Sequence, residues 1–181
     1  MSHSLVTIGR LAAGALLIAG AGISGLGTAS ADPDYSALLI HPNNVTDSNA
    51  YSAGPPIQDP NGQPGVQAVY THRDGSRTIT DTVLVLSDPE AATAAMNASQ
   101  ASSGIANQTS VPAPVGTGGT LVSGTSADGT QSVSLLLFTQ GNTATTVEFE
   151  GVTSDPAPAD LAIDFGQRQD TAIKDWQATL G

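Results

Sequence analysis

The segment 131–150, QSVSLLLFTQGNTATTVEFE, constrains the fold more than any other part of this 181-residue chain. Residues 135–138 are four large apolar residues in a row, which is typical of a strand near the centre of a sheet. Residues 140–142 predict a tight turn, and residues 143–150 alternate between apolar and polar side chains. This pattern predicts an antiparallel meander with one face of its second strand in the core and the other in water.

Two further patterns extend the predicted sheet. Residues 66–71 and 77–86 have strand character, and the Asp and Gly of the intervening turn, residues 73–76, favour a hairpin. Residues 120–125 predict another strand. With the two strands of the segment 131–150, the sequence therefore predicts five strands, in a hairpin and an antiparallel meander.

Two helices accompany this sheet in the prediction. The first, rich in alanine, ends near Ala101 and has two possible caps: Ser87 with Glu90 in a capping box, or Asp88 followed by proline at the first helical position. The second starts after residues 155–158 and runs to about Ala178. Its apolar stripe is predicted to be core and consists of Leu161, Phe165, Ala172 and Trp176, flanked by Ile173 and Leu180.

These elements predict an α+β fold, a single domain with an antiparallel sheet packed against a central and a C-terminal helix. A helical turn at residues 36–40 is expected to pin the start of the domain to its core. Residues 43–65 carry four prolines and several glycines, so we expect a long loop there.

The first 31 residues predict a secretory signal peptide. An arginine precedes the apolar run 11–26, and the small residues 29–31 predict cleavage after Ala31. A retained membrane anchor is the alternative, but the run is short for a spanning helix. We therefore expect residues 32–181 to form the mature domain, secreted or extracytoplasmic in the cell envelope, with no stable membrane insertion.

The charge of the chain limits its partners. Sixteen acidic and five basic residues give a net charge of −11, and removal of Arg10 leaves 4 − 16 = −12 in the predicted mature domain. Such a chain repels nucleic acid and anionic lipid surfaces, since binding to either depends on Lys and Arg. The partners expected are a small molecule, a lipid or glycan, or an envelope protein. The sequence does not predict an oligomeric state.

No catalytic or metal motif stands out. The predicted mature domain has two histidines and no cysteine, neither histidine has a partner at metal-ligand spacing, and the chain lacks a G-x-S-x-G segment between strand and helix. Glu148 and Glu150 are expected together on the solvated strand face. We therefore predict a protein that is not an enzyme and that uses no metal or cofactor, with acid–base catalysis by this pair as the alternative.

Three segments carry a resemblance to a known family: SALLIHPNNV at residues 36–45, DTVLVLSDPEAATAAM at 81–96 and SLLLFTQGNTATTVEF at 134–149. With the order of the elements, they resemble exported mycobacterial domains similar to the extracellular sensor domain of the kinase PknH. Ala31 followed by Asp32-Pro33 also resembles mycobacterial signal peptides. The resemblance implies an antiparallel sheet with helices beside it and a cleft for an extracytoplasmic ligand. Family members usually have paired cysteines, and this chain has none.

The leading functional hypothesis is a secreted, non-enzymatic ligand-binding or sensor-like domain. The predicted ligand-binding residues are Tyr51, Tyr70, His72 and Arg77, which are expected to converge between the sheet and the loop 43–65. The alternative is that Tyr70 belongs to the core while His72 and Arg77 flank a hairpin turn. A second hypothesis is a protein-interaction or structural envelope module that uses the proline-rich loop or a sheet edge.

Overall fold

The computed structural model describes residues 33–46 and 49–180, which belong to one compact unit. The predicted signal peptide lies outside these residues. The strands are β1 (Tyr51–Ala53), β2 (Ile57–Gln58), β3 (Gly65–His72), β4 (Arg77–Val85), β5 (Ala106–Pro112), β6 (Thr117–Thr125), β7 (Gln131–Gln140) and β8 (Thr143–Val152), and the helices are α1 (Pro89–Ala101) and α2 (Ala159–Ala178). Short 3-10 turns occupy Ser36–Leu38, Pro42–Asn44 and Pro60–Gly62.

The strands form one antiparallel sheet in the order β1-β3-β4-β8-β7-β6-β5, with β2 paired to β3. The predicted α+β class, the hairpin β3–β4 and the meander β6–β7–β8 are confirmed. β7 lies between β6 and β8, and its residues 132–139 are all buried. A strand covered on both faces has no solvated side, which explains its continuous apolar run.

The two faces of the sheet carry separate cores. On one face, α1 contributes Ala92 and Met96 to a cluster with Val122, Leu135 and other side chains of the sheet. On the other face, α2 contributes residues such as Phe165 and Ile173, and the segment 35–40 adds to the same cluster. The sheet is therefore the middle layer between the two helices, because alternate residues of each strand point to opposite faces.

The start of α1 settles the choice between the two predicted caps. The Asp88 carboxylate accepts a hydrogen bond from the Ala91 N–H at 2.8 Å, and Pro89 occupies the first helical position. The Ser87 hydroxyl donates instead to Asp88. Asp88 is thus the N-cap, and its pKa is lowered mainly by the hydrogen bond from the Ala91 backbone.

The expectation that residues 43–65 form one long loop was wrong, and the strand β5 was not predicted. Residues 43–65 contain the short strands β1 and β2, which lie along β3 and are held by its backbone. The connector after α1 contains β5, a strand whose side chains are almost all exposed. An edge strand buries few side chains, so it shows no hydrophobic alternation in the sequence.

The buried stripe of α2 differs in part from the predicted one. Phe165 and Ile173 are in the core as expected, whereas Leu180 is 67% exposed. The stripe instead includes Gln169, which is fully buried and donates to the Leu38 carbonyl while accepting from the Ile40 N–H at 3.2 Å. Trp176 is partly buried, and its ring lies 6.0 Å from that of Tyr35. α2 therefore clamps the segment 35–40 to the sheet.

Candidate functional site

A cleft of about 250 Å³ lies beside α1 on the sheet, and we call it the α1 cleft. Its floor comes from neighbouring strands whose residues pair directly: Gln67 of β3 with Thr82 of β4, and Thr82 with Thr146 of β8. Leu84 and Ala144 form the next pair along the floor. These residues share a face because each strand presents every second side chain to the same side.

The walls of the α1 cleft come from two different parts of the chain. Ser99, near the end of α1, forms one wall, and residues 60–63 form the other. Asp59 and Asn61 adopt left-handed backbone conformations in this turn, which Asp and Asn tolerate better than most residues. The cleft therefore lies between the sheet and part of the predicted loop 43–65.

Most polar side chains of the α1 cleft are not used by the fold. Gln67 donates from Nε2 to the Thr82 hydroxyl at 2.9 Å. The side chains of Asn61, Gln63, Ser99 and Thr146 make no hydrogen bond within the described part of the chain, so their donors and acceptors are available to a ligand.

The floor continues beyond the cleft towards two acidic residues. Glu148 faces the same side as Thr146 and pairs with Thr80, and Glu150 pairs with Thr78. The two residues share one strand face as expected, but both carboxylates are partly buried, so this face is less solvated than expected. Burial raises the pKa of Glu148, and the negative charge of Glu150 raises it further.

A second groove, of about 410 Å³, lies at the C-terminal end of α1. It is lined by residues of the last turns of α1, by residues 103–105 of the following loop and by Gln108 of β5. Gln108 is the one strand residue in its lining, so it has no floor of paired strands like that of the α1 cleft. We therefore take the α1 cleft as the candidate site.

The four residues predicted to bind a ligand lie at the opposite face of the sheet, near the β3–β4 turn. Tyr51 pairs with His72 across β1 and β3, and their rings meet edge to face at 5.2 Å. Tyr70 is buried, donates from its hydroxyl to the Ile40 carbonyl at 2.8 Å, and contacts the His41 ring.

The remaining two polar groups at this end are engaged by aspartates. His72 lies 2.6 Å from the Asp74 carboxylate through Nδ1, and Arg77 donates to both the carboxylate and the backbone carbonyl of Asp155. The structure thus brings Tyr51 and His72 into contact and directs Arg77 to the loop before α2. Ligand binding by these four residues stays a prediction.

Asp81 is a buried residue that the sequence analysis did not single out. It is fully buried in β4 between Ala68 and Val147, and neither of its carboxyl oxygens has a hydrogen-bond partner among the described residues. Burial raises the pKa of Asp81 well above the usual value. The pKa of the nearby Tyr70 hydroxyl is also raised, mainly by its burial and further by the negative charge of Asp81. The sequence position could have indicated this burial, because Asp81 lies on the same face of β4 as Ile79 and Val83, at every second residue.

Comparison with known proteins identifies the fold. The structure matches the crystal structure of the extracellular domain of PknH from Mycobacterium tuberculosis with a TM-score of 0.56. The two domains share a fold. The match covers 80% of this chain and 97% of the PknH domain at 14% sequence identity. The resemblance seen in the sequence is thereby confirmed for the fold, and membership in the family stays a prediction.

The sequence comparisons add no further relationship. No family model matches the chain, and no curated protein matches it significantly. Within residues 33–46 and 49–180, no helix is long and apolar enough to span a membrane, and no group of three or more acidic or histidine side chains is placed to hold a metal ion.

Proposed function

We propose that residues 32–181 form an extracytoplasmic, sensor-like domain that binds a small ligand in the α1 cleft and is not an enzyme. The observation that carries this proposal is the fold, which is shared with nearly the whole PknH extracellular domain. In this chain, a polar cleft lies beside α1. The predicted signal peptide supports a location outside the cytoplasm.

The absence of a catalytic role is supported by how the described histidines are used. His41 accepts a hydrogen bond from the Asn43 N–H at 3.2 Å, and His72 is bound to Asp74. Neither histidine lines the α1 cleft. Glu148 and Glu150 are beside the cleft, but neither of them is among the residues that line it.

Blocking the cleft tests the proposal. Ser99→Trp would fill the α1 cleft from its wall without changing the floor, whereas Ala98→Trp places the same ring at an exposed neighbouring position outside the cleft lining. A thermal-shift screen of sugars, lipids and envelope metabolites finds ligands that raise the melting temperature, because binding to the native state stabilises it. We expect Ser99→Trp to abolish this rise and Ala98→Trp to preserve it.

The predicted ligand residues near the β3–β4 turn, which include Tyr51 and His72, offer a second location for a ligand. If a ligand raises the melting temperature equally in the wild type and in Ser99→Trp, it binds outside the α1 cleft. His72→Ala then tests the predicted residues, because it removes the ring that contacts Tyr51. Loss of the ligand effect in His72→Ala alone would move the site to this end of the sheet.

An interaction module remains the alternative function, and β5 favours it. This strand forms one edge of the sheet, six of its seven residues are exposed, and it carries no charge. Unpaired backbone groups at such an edge can pair with a strand of another protein. Val111→Lys would place a charge on the edge, and we expect it to abolish the capture of such a partner while leaving ligand binding unchanged.

A further inference from the structure

We infer that the α1 cleft selects a neutral, polyhydroxylated small molecule, that is, a sugar-like ring rather than an anion or a lipid chain. This inference rests on the proposed function and adds the chemical class of the ligand. Its evidence is the chemistry of the nine lining residues and of the carboxylates beside them.

The lining of the α1 cleft contains amides and hydroxyls but no charged side chain. Asn61, Gln63 and Gln67 offer both donors and acceptors, and Thr82, Ser99 and Thr146 offer hydroxyls. An anionic ligand group would lose its hydration here without a cationic side chain to replace it, which costs free energy. Hydroxyl groups, which donate and accept at once, match this lining.

One part of the lining is apolar. Pro60 and Ala144 line the cleft with Leu84, which is next to Thr82 on the same face of β4. A sugar ring has hydroxyls around its rim and C–H groups on its faces, so it needs both surfaces. A lipid chain would leave the amides and hydroxyls of the other lining residues without partners, at a cost for each.

Charge around the cleft excludes anionic ligands. Glu148 lies two residues from Thr146 on the same face of β8, with Glu150 next in line. Three of the four described cations, Arg77, Arg168 and Lys174, pair with aspartates elsewhere. The fourth is Arg73, in the β3–β4 turn. A phosphate or carboxylate in the cleft would be repelled by Glu148.

The size of the cleft limits the ligand to a small unit. Its volume of about 250 Å³ is below the range of roughly 300–1,000 Å³ that is usual for drug-sized ligands. The structure therefore accommodates one ring at a time, with the rest of any longer glycan outside the cleft. Affinity for an isolated ring is expected to be weak, in the millimolar range.

The test uses nuclear magnetic resonance titration of residues 32–181 with glucose, galactose, mannose, arabinose and myo-inositol, and with glucose 6-phosphate as the anionic comparison. We expect at least one neutral ring to shift the backbone amide signals of Thr82 and Thr146, and glucose 6-phosphate to bind at least about tenfold more weakly than glucose at low salt. Glu148→Gln should reduce this discrimination.

Matched variants separate hydroxyl recognition from a general effect on the fold. Thr82→Val with Thr146→Val keeps the shape of the floor but removes two hydroxyls, and we expect it to weaken binding by about tenfold or more. Thr171→Val is the control, because its hydroxyl bonds to the Gln167 carbonyl within α2. Folding of each variant is checked by its spectrum before titration.

The outcomes distinguish this inference from the proposed function. If no neutral ring shifts the cleft signals, or if glucose 6-phosphate binds as well as glucose, the inference is overturned. A ligand of another class that is lost in Ser99→Trp would still support the proposed function. Binding of neutral rings that survives Ser99→Trp would overturn both, because the ligand would then lie outside the α1 cleft.

Discussion

At the scale of single residues, Asp81 is the position where sequence and environment disagree most. A carboxylate at the centre of a sheet loses its hydration, and nothing in the described chain replaces it. Its pKa is therefore raised, and the neutral form is favoured in the folded state. Since the unfolded chain has an ordinary aspartate pKa of about 3.9, folding and protonation of Asp81 are linked.

We expect Asp81→Asn to make the domain more stable than the wild type at neutral and alkaline pH. The raised folded pKa means that the contribution of Asp81 is fully present below the unfolded pKa. It is lost as pH rises through the folded pKa, whereas an amide has no such loss. Urea unfolding at a series of pH values from 4 to 9 measures the effect.

The control for this prediction is Asp164→Asn, which removes an exposed carboxylate paired with Arg168 on α2. It should change stability little, since exposed ion pairs contribute little. Parallel curves for Asp81→Asn and the wild type across this pH range would show that Asp81 is not the group linked to folding.

At the scale of elements, the contact between the start of β3 and β4 depends on a glycine. Gly65 has a φ of +147°, and a Cβ at this position would lie 2.2 Å from the Val83 carbonyl oxygen. The backbone of β3 therefore approaches β4 more closely than a side chain permits. The residues just before this contact, 60–63, form a wall of the α1 cleft.

Gly65→Ala is expected to destabilise the domain by about 2 kcal/mol or more, because the contact is with backbone that cannot move aside and the conformation is strained for alanine. Gly62→Ala is the matched control. Gly62 also has a positive φ, of +75°, but a Cβ there meets nothing within 4 Å, so its cost should be about 1 kcal/mol. Chemical denaturation measures both, and equal losses would contradict the proposed steric cause.

At the scale of the whole molecule, the segment 33–40 closes one side of the domain. Leu38 is fully buried in the core, and Tyr35 is nearly so. The Gln169 side chain of α2 hydrogen-bonds to the backbone of both Leu38 and Ile40. The Tyr70 hydroxyl donates to the Ile40 carbonyl. The predicted cleavage after Ala31 would therefore leave a mature chain that keeps this whole segment.

We expect a chain that begins at Asp32 to be fully folded and one that begins at His41 to be less stable by at least about 3 kcal/mol. The shorter chain loses the burial of Leu38 and Tyr35, each contributing about 1.5–3 kcal/mol, and leaves Gln169 without its partners. Equal urea midpoints for the two chains would show that the segment is not part of the core. The mass of the exported protein tests the cleavage position itself.

The sequence alone determined the elements whose patterns are local. The meander, the β3–β4 hairpin and both helices follow from alternation, turn residues and an N-cap, which act between residues close together in the chain. The strands β1, β2 and β5 could not be predicted this way, because their stability comes from the backbone of a partner strand rather than from their own side chains.

Only the tertiary structure decided which residues are buried on each face of the sheet and where a cleft forms. Burial of Asp81 depends on α2 and the segment 35–40 covering its face, and the α1 cleft exists because Ser99, residues 60–63 and three strands meet from distant positions in the chain. The predicted ligand residues share one face by strand register, but their partners, such as Asp155 for Arg77, come from loops. Contacts of this kind are set by packing between elements, which local sequence patterns do not encode.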